Sequence, residues 1–114
     1  MTKTISKRTA RIREMNDAFR QGHSAGGKRL ITAGIAALPP VDQAAIMGKV
    51  RSFDAFTYAN DPHGEHDFGA FEHNGERIFW KIDCYSPDME YGSENPADPA
   101  MTVRVLTIML AEEY

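Results

Sequence analysis

The tetrapeptide His73-Asn74-Gly75-Glu76 constrains this chain more than any other stretch. Asn-Gly accepts the positive φ that a two-residue type I′ turn demands, and strand-like runs flank it, Phe68 to His73 and Arg77 to Tyr85, so the segment predicts a β-hairpin. A two-residue turn also fixes register. Phe71 falls opposite Ile78, Glu72 opposite Arg77, Ala70 opposite Phe79 and Phe68 opposite Lys81. Ile78, Trp80, Ile82 and Cys84 then form the core-facing row, while Phe79, Lys81, Asp83 and Tyr85 occupy the other face. Continued past Phe68 without a bulge, the ladder would place His66 opposite Asp83.

The remaining elements arrange around that hairpin. Ser6 or Thr4 can cap a helix running to about Arg20, with Ile5, Ile12, Met15 and Phe19 at helical spacing, and Gly22 supplies its stop. His23 to Gly27 reads as a flexible loop; its glycines lack the Lys and Ser/Thr that follow in a nucleotide-binding loop. Lys28 to Ala33 is a short strand. Pro39-Pro40 opens a second helix with Asp42 in its first turn, Lys49 and Arg51 near its end, and Val41, Ala45, Ile46, Val50 and Phe53 as its apolar stripe. Gly48 within it is expected to mark close packing on the sheet. Met101 to Leu110 carries Thr102, Val103, Val105, Thr107 and Ile108, which favour a central strand over a helix. Together these predict one α+β domain over residues 1–114, with 1–5 and 112–114 expected to fray. Two amphipathic helices cover one face of a mainly antiparallel sheet of about four strands.

Composition narrows the class. A chain of 114 residues with 42% hydrophobic and 25% charged residues can bury a core and is not disordered. Its single cysteine, Cys84, excludes an internal disulfide framework and a cysteine-rich zinc module. Neither a secretory apolar region nor a membrane-spanning run is visible, so a soluble, cytoplasmic protein is expected. The net charge of -3 hides a polarity. Basic residues gather in the first thirty positions and carboxylates in Asp61 to Asp98.

Three kinds of site can be drawn from these residues. Asn60 to Gly69 packs two histidines and three carboxylates before the hairpin, and Asp61, His63, Glu65 and His66 are candidate ligands for a divalent metal. The His63/His66 spacing is not the helical His-Glu-x-x-His pattern, so a tight turn and a remote ligand such as Asp83 would be needed. An alternative is acid–base chemistry by His66 and Asp83 beside Lys81, with His63 a further candidate. Asn60 and Asp61 capping a turn is the structural alternative. The acidic half offers a non-catalytic reading, in which Asp88, Glu90 and Glu94 with Tyr85 and Tyr91 present charge and aromatic anchors to a basic protein partner. Ser86 to Pro99, which contains most of them, is long for a connector and is either functional or tied down by its own side chains. Arg8, Arg11 and Arg13 on the first helix could instead contact nucleic-acid phosphates.

Several words in order carry a family resemblance: Asn60 to Gly69 (NDPHGEHDFG), Phe79 to Asp83 (FWKID), Tyr91-Gly92-Ser93 with Asp98-Pro99, and Arg104 to Tyr114 (RVLTIMLAEEY). They resemble an uncharacterised family of short bacterial proteins, frequent in alphaproteobacteria and their plasmids and catalogued as a domain of unknown function. That resemblance, spanning about Ile12 to Tyr114, implies a cytoplasmic protein often associated with mobile elements, and it supplies no catalytic residue. The function expected is a protein-binding accessory module, an inhibitor acting through an acidic surface. No cofactor is called for beyond the metal alternative.

Overall fold

The computed structural model describes residues 5–114. In chain order its elements are α1 (Lys7–Gln21), β1 (Lys28–Ile31), α2 (Ala33–Ala36), α3 (Pro40–Arg51), β2 (Phe68–His73), β3 (Glu76–Tyr85) and β4 (Val103–Leu110), with 3-10 turns at Pro99–Met101 and Ala111–Glu113. Asn74 and Gly75 both take positive φ, 50° and 79°, as the turn requires. The register follows from it: Phe71 pairs with Ile78, Glu72 with Arg77, Ala70 with Phe79 and Phe68 with Lys81. β4 then lies antiparallel along β3, and β1 adds parallel to β4, giving the order β1-β4-β3-β2. The sheet is therefore mixed, and mostly antiparallel.

Strand periodicity sorts the core. Ile78, Trp80 and Ile82 on β3 and Leu106 and Ile108 on β4 face the helices and are buried, meeting Phe19 of α1, Ile35 of α2 and Ile46 and Val50 of α3. Trp80 anchors this layer at 0% exposure, a burial whose loss costs about 3–5 kcal/mol in typical Trp-to-Ala replacements. Gly69 makes the fit possible. It pairs with Trp80 across the ladder, and a Cβ there would collide with the indole Nε1. β4 is buried on both faces, with Val105 and Met109 enclosed on the side away from the helices; it is the central strand its composition foretells.

Helix boundaries follow from their caps. Ser6 accepts the Thr9 N–H at the start of α1, and Gly22 ends it at φ 84°. Thr4, the other candidate cap, lies outside the described residues. Pro40 opens α3, with Asp42 in its first turn and Lys49 and Arg51 in its last.

Three expectations are corrected. β1 stops at Ile31 because Thr32 begins the short helix α2, an element too brief for periodicity to register. Val41 is 74% exposed and leaves the apolar stripe. Gly48 has open space around its Cα rather than a packed sheet. At the C-terminal end, Glu113 accepts hydrogen bonds from Thr32 Oγ1, the Gly34 N–H and the Leu110 N–H, and Tyr114 meets Phe68 and Phe79 edge-on. No helix among the described residues is long and apolar enough to cross a membrane.

Candidate functional site

No regular element lies between α3 and β2, and side chains hold the connector in place. Asn60 accepts the Thr57 N–H through Oδ1 at 2.8 Å and donates to the Ala55 carbonyl, closing a local turn. Asp61, nearly buried, then accepts the backbone N–H of His66 at 3.2 Å. His66 takes φ 54°, and Gly64 φ 72°. Those left-handed residues turn the chain off the ladder before β2 begins. His66 consequently never comes opposite Asp83, and the proposed His66–Asp83 pair does not form.

The partner of His66 is on α1. Its Nδ1 lies 2.9 Å from Asp17 Oδ1 and its Nε2 3.6 Å from Asp61 Oδ2. Because a carboxylate accepts, Nδ1 carries the hydrogen in that contact and Nε2 is turned toward Asp61. The imidazole also stacks flat on Phe56, centroids 3.7 Å apart and planes 3° off parallel. Asp17 Oδ1 is shared with Arg20 Nη2 at 3.2 Å, and the Arg20 guanidinium lies over the rings of Phe56 and Trp80. Arg20 is 2% exposed. Its Nε and Nη1 have no hydrogen-bond partner among the described residues, and burial pushes its pKa down against the opposing charges of Asp17 and Asp54.

One face of α1 thus grips three successive residues of the connector. Arg13 donates to the Gly64 carbonyl at 2.6 Å, Asn16 to the Glu65 carbonyl at 3.0 Å, and Asp17 takes the His66 ring. Asn16 in turn accepts from Arg104 Nε at 2.7 Å, which links the connector to β4. Beside this grip a cleft of about 270 Å³ is lined by Arg13, Phe56, Asp61, His63, Gly64 and His66, among others. Burial raises the pKa values of Glu65 and Asp67, each reinforced by the other carboxylates of the segment.

The metal set is not assembled. His63 is exposed, Glu65 is half-buried and His66 is committed to Asp17, and no group of three or more His, Cys, Asp or Glu side chains among the described residues could hold a metal ion. Asp83 pairs instead with Lys81, Nζ to Oδ2 3.0 Å, on the face of the sheet away from the helices. Cys84 shares the helix-facing row with Arg104, and burial raises its thiol pKa. The basic helix is partly spent internally too: Arg13 and Arg20 make the contacts above, Arg11 meets Glu14 at 3.5 Å, and Arg8 is exposed.

A second constellation sits between β3 and β4. Asp88 accepts from Ser86 Oγ and from the Glu90 N–H; Ser86 N–H donates to the Tyr91 carbonyl at 2.7 Å and Ser93 N–H to the Cys84 carbonyl at 2.9 Å. Ser93 Oγ reaches the Met101 carbonyl, Thr102 Oγ1 the Asn95 carbonyl, and Asp98 caps the following 3-10 turn. The loop is therefore bound by its own side chains. Its tip holds Met89 at φ 65°, a conformation non-glycine residues rarely adopt. Tyr91 is 70% exposed, Asp88, Glu90 and Glu94 are exposed, and Tyr85 is half-buried at the bridge to Gly92.

A family model described as protein of unknown function (DUF3768) matches residues 31–113. The chain belongs to that family. The DUF3768 match takes in both constellations on the connector and loop side, with Phe56, Asp61, His66, Arg104 and all of Ser86 to Pro99, and leaves α1 outside it. No curated protein and no solved structure matches the chain.

Sequence reasoning passed over Asn16, Asp17, Arg20, Phe56 and Arg104. A signal existed for two of them. Asn16 and Arg20 follow Ile12 at steps of four, which puts polar groups on the buried stripe of an amphipathic helix, and buried polar groups there must be satisfied by something.

Proposed function

We propose that this DUF3768 protein is a non-catalytic binding module that engages a basic protein surface through the loop from Ser86 to Pro99. One observation carries the reading: the loop is ordered by its own hydrogen bonds while its aromatic and acidic groups point to solvent. A loop that is already ordered loses little conformational entropy on binding, and an exposed tyrosine supplies large contact area with few rotatable bonds. Glu90 and Glu94 around Tyr91 would steer a cationic partner and fix its orientation. The strain at Met89 fits a segment shaped for recognition rather than for connection. The resemblance to short, plasmid-associated bacterial proteins agrees with an accessory role in the cytoplasm, such as inhibition of another protein.

The test is affinity capture from the host cell with four baits: the natural chain, Tyr91→Ala, Glu90→Gln with Glu94→Gln, and His66→Ala. A specific protein should be recovered by the natural chain and by His66→Ala, and lost or reduced with the two loop variants, with association slowed further as salt rises. Equal recovery by all four baits would defeat the proposal.

A second reading rests on the Asp17–His66 contact, which orients an imidazole beside a cleft as acid–base chemistry requires. Under that reading His66→Ala abolishes a cellular phenotype while the protein stays folded, and the loop variants leave the phenotype intact.

A further inference from the structure

Arg104 is the second residue of β4 and is 7% exposed. Buried charges in proteins are ordinarily paired with an opposite charge, yet Arg104 forms no ion pair among the described residues. Its guanidinium is instead held by neutral acceptors, Nε on Asn16 Oδ1 at 2.7 Å and Nη2 on the Pro96 carbonyl at 2.6 Å. Those two bonds fix the plane of the group. Burial pushes its pKa down and Arg11 acts in the same direction, against the opposing pull of Cys84 and of the more distant Glu65 carboxylate. A buried, positioned cation with no carboxylate in ion-pair distance among the described residues is a place where an anion can dock.

The surroundings supply the rest of a pocket. Arg104 lines a cleft of about 290 Å³ with Met15, Ala18 and Phe19 of α1, the loop Ser24 to Gly27, Pro99 and Thr102. The lining contains no carboxylate. Its walls are mainly apolar, and the loop side is fastened by Arg29, which lies over Phe19 and donates to the carbonyls of Phe19, Ser24 and Gly26. Gly27, at φ 68°, lets that loop close onto the strand, where a Cβ would come within 2.6 Å of the Arg104 carbonyl oxygen.

We propose that this cleft binds a small aliphatic or aromatic monocarboxylate, its carboxylate on Arg104 and its apolar body against Met15, Ala18, Phe19 and Pro99. The volume lies at the low end of the roughly 300–1,000 Å³ typical of ligand pockets, which favours a small ligand. One cation with few remaining donors matches a single negative charge, whereas a phosphate dianion would need more. The site is separate from the loop tip and from His66, so it stands whether or not either functional reading holds.

The experiment follows backbone amide shifts by NMR while hexanoate, phenylacetate, hexanamide and inorganic phosphate are titrated into the full chain. Hexanoate or phenylacetate should give saturable shifts at Gly26, Gly27, Thr102 and Arg104, and hexanamide should bind about tenfold more weakly or worse, because it lacks the charge. Ala18→Phe, which puts a ring into the cleft and leaves the Arg104 side chain unaltered, should abolish binding while the rest of the spectrum is kept. Arg104→Gln should do the same if it folds; should it not fold, the amide comparison and Ala18→Phe decide alone. The proposal is overturned if neither carboxylate binds, if hexanamide or phosphate binds as well as hexanoate, or if the saturable shifts map elsewhere.

Discussion

Replacing Asp17 by alanine tests the grip of α1 on the connector. Among the described residues Asp17 is the only carboxylate within ion-pair distance of the Arg20 guanidinium, which is itself 2% exposed. Breaking a buried pair by removing one partner costs about 3–5 kcal/mol, because the other charge is left behind in a poor solvent. Two features place the loss near the lower end: Asp17 keeps 28% side-chain exposure, and Asp54 also bears on Arg20. The His66 Nδ1–H loses its acceptor as well, a further ~1 kcal/mol. At about 2.1 cal/mol/K of unfolding entropy per residue, a total near 4 kcal/mol lowers the Tm of a 114-residue chain by roughly 15 °C. Thermal and urea denaturation followed by circular dichroism measure both quantities. His66→Gln serves as the control, since it leaves the Asp17–Arg20 pair intact and should cost about 1 kcal/mol. Asp17→Leu combined with Arg20→Met removes both charges and should recover most of the loss. An Asp17→Ala cost below about 1 kcal/mol, the range of exposed ion pairs, would refute the reasoning, as would a double variant no more stable than Asp17→Ala.

The carboxylates of the connector give a pH prediction of the opposite sign to ordinary acid denaturation. Burial raises the folded-state pKa of Asp67 above its unfolded value, so between the two the folded protein holds more protons, and this group's contribution to stability rises as pH falls through that window. Asp67→Asn should therefore be more stable than the natural chain near neutral pH and should lose this acid-side gain in urea titrations; a variant destabilised at neutral pH contradicts the assignment. Two glycines should respond in opposite directions. Gly69→Ala drives a methyl into Trp80 and should cost about 1–3 kcal/mol, while Gly48→Ala, in a helix interior with open space around it, should gain about 0.5–1 kcal/mol. Equal effects in the two variants would show that neither environment is described correctly.

How much the residues declared in advance depended on how local their signals were. The hairpin rests on two adjacent residues, Asn74 and Gly75, and everything paired to it follows by counting, so the whole β2–β3 register was legible. β4 was legible because Val103 to Leu110 is apolar at odd and even positions alike. Proximity of α1 to the connector was not, since the bonds from Arg13, Asn16 and Asp17 span about fifty positions and leave no periodic trace. The left-handed turn through Gly64 and His66 separated the expected pair with Asp83 from the observed one with Asp17, and histidine's modest enrichment at positive φ is too weak to announce it. The parallel pairing of β1 with β4 is equally non-local. For the loop from Ser86 to Pro99, composition could state the alternatives, while only geometry distinguished a segment fastened by Ser86, Asp88, Ser93 and Asp98 from an open one.

Hydrogen exchange of the free protein bears most directly on the central claim, that the loop from Ser86 to Pro99 is ordered before any partner arrives. The amides of Ser86, Met89 and Ser93, which donate to the carbonyls of Tyr91, Ser86 and Cys84, should be protected well above the level of a disordered chain, and Asp88→Asn should weaken that protection at Glu90 and Tyr91 without changing exchange in β3 and β4. Exchange of Ser86, Met89 and Ser93 at the rate of an unstructured peptide would contradict the account, because a loop that must order on contact offers no advantage as a recognition surface.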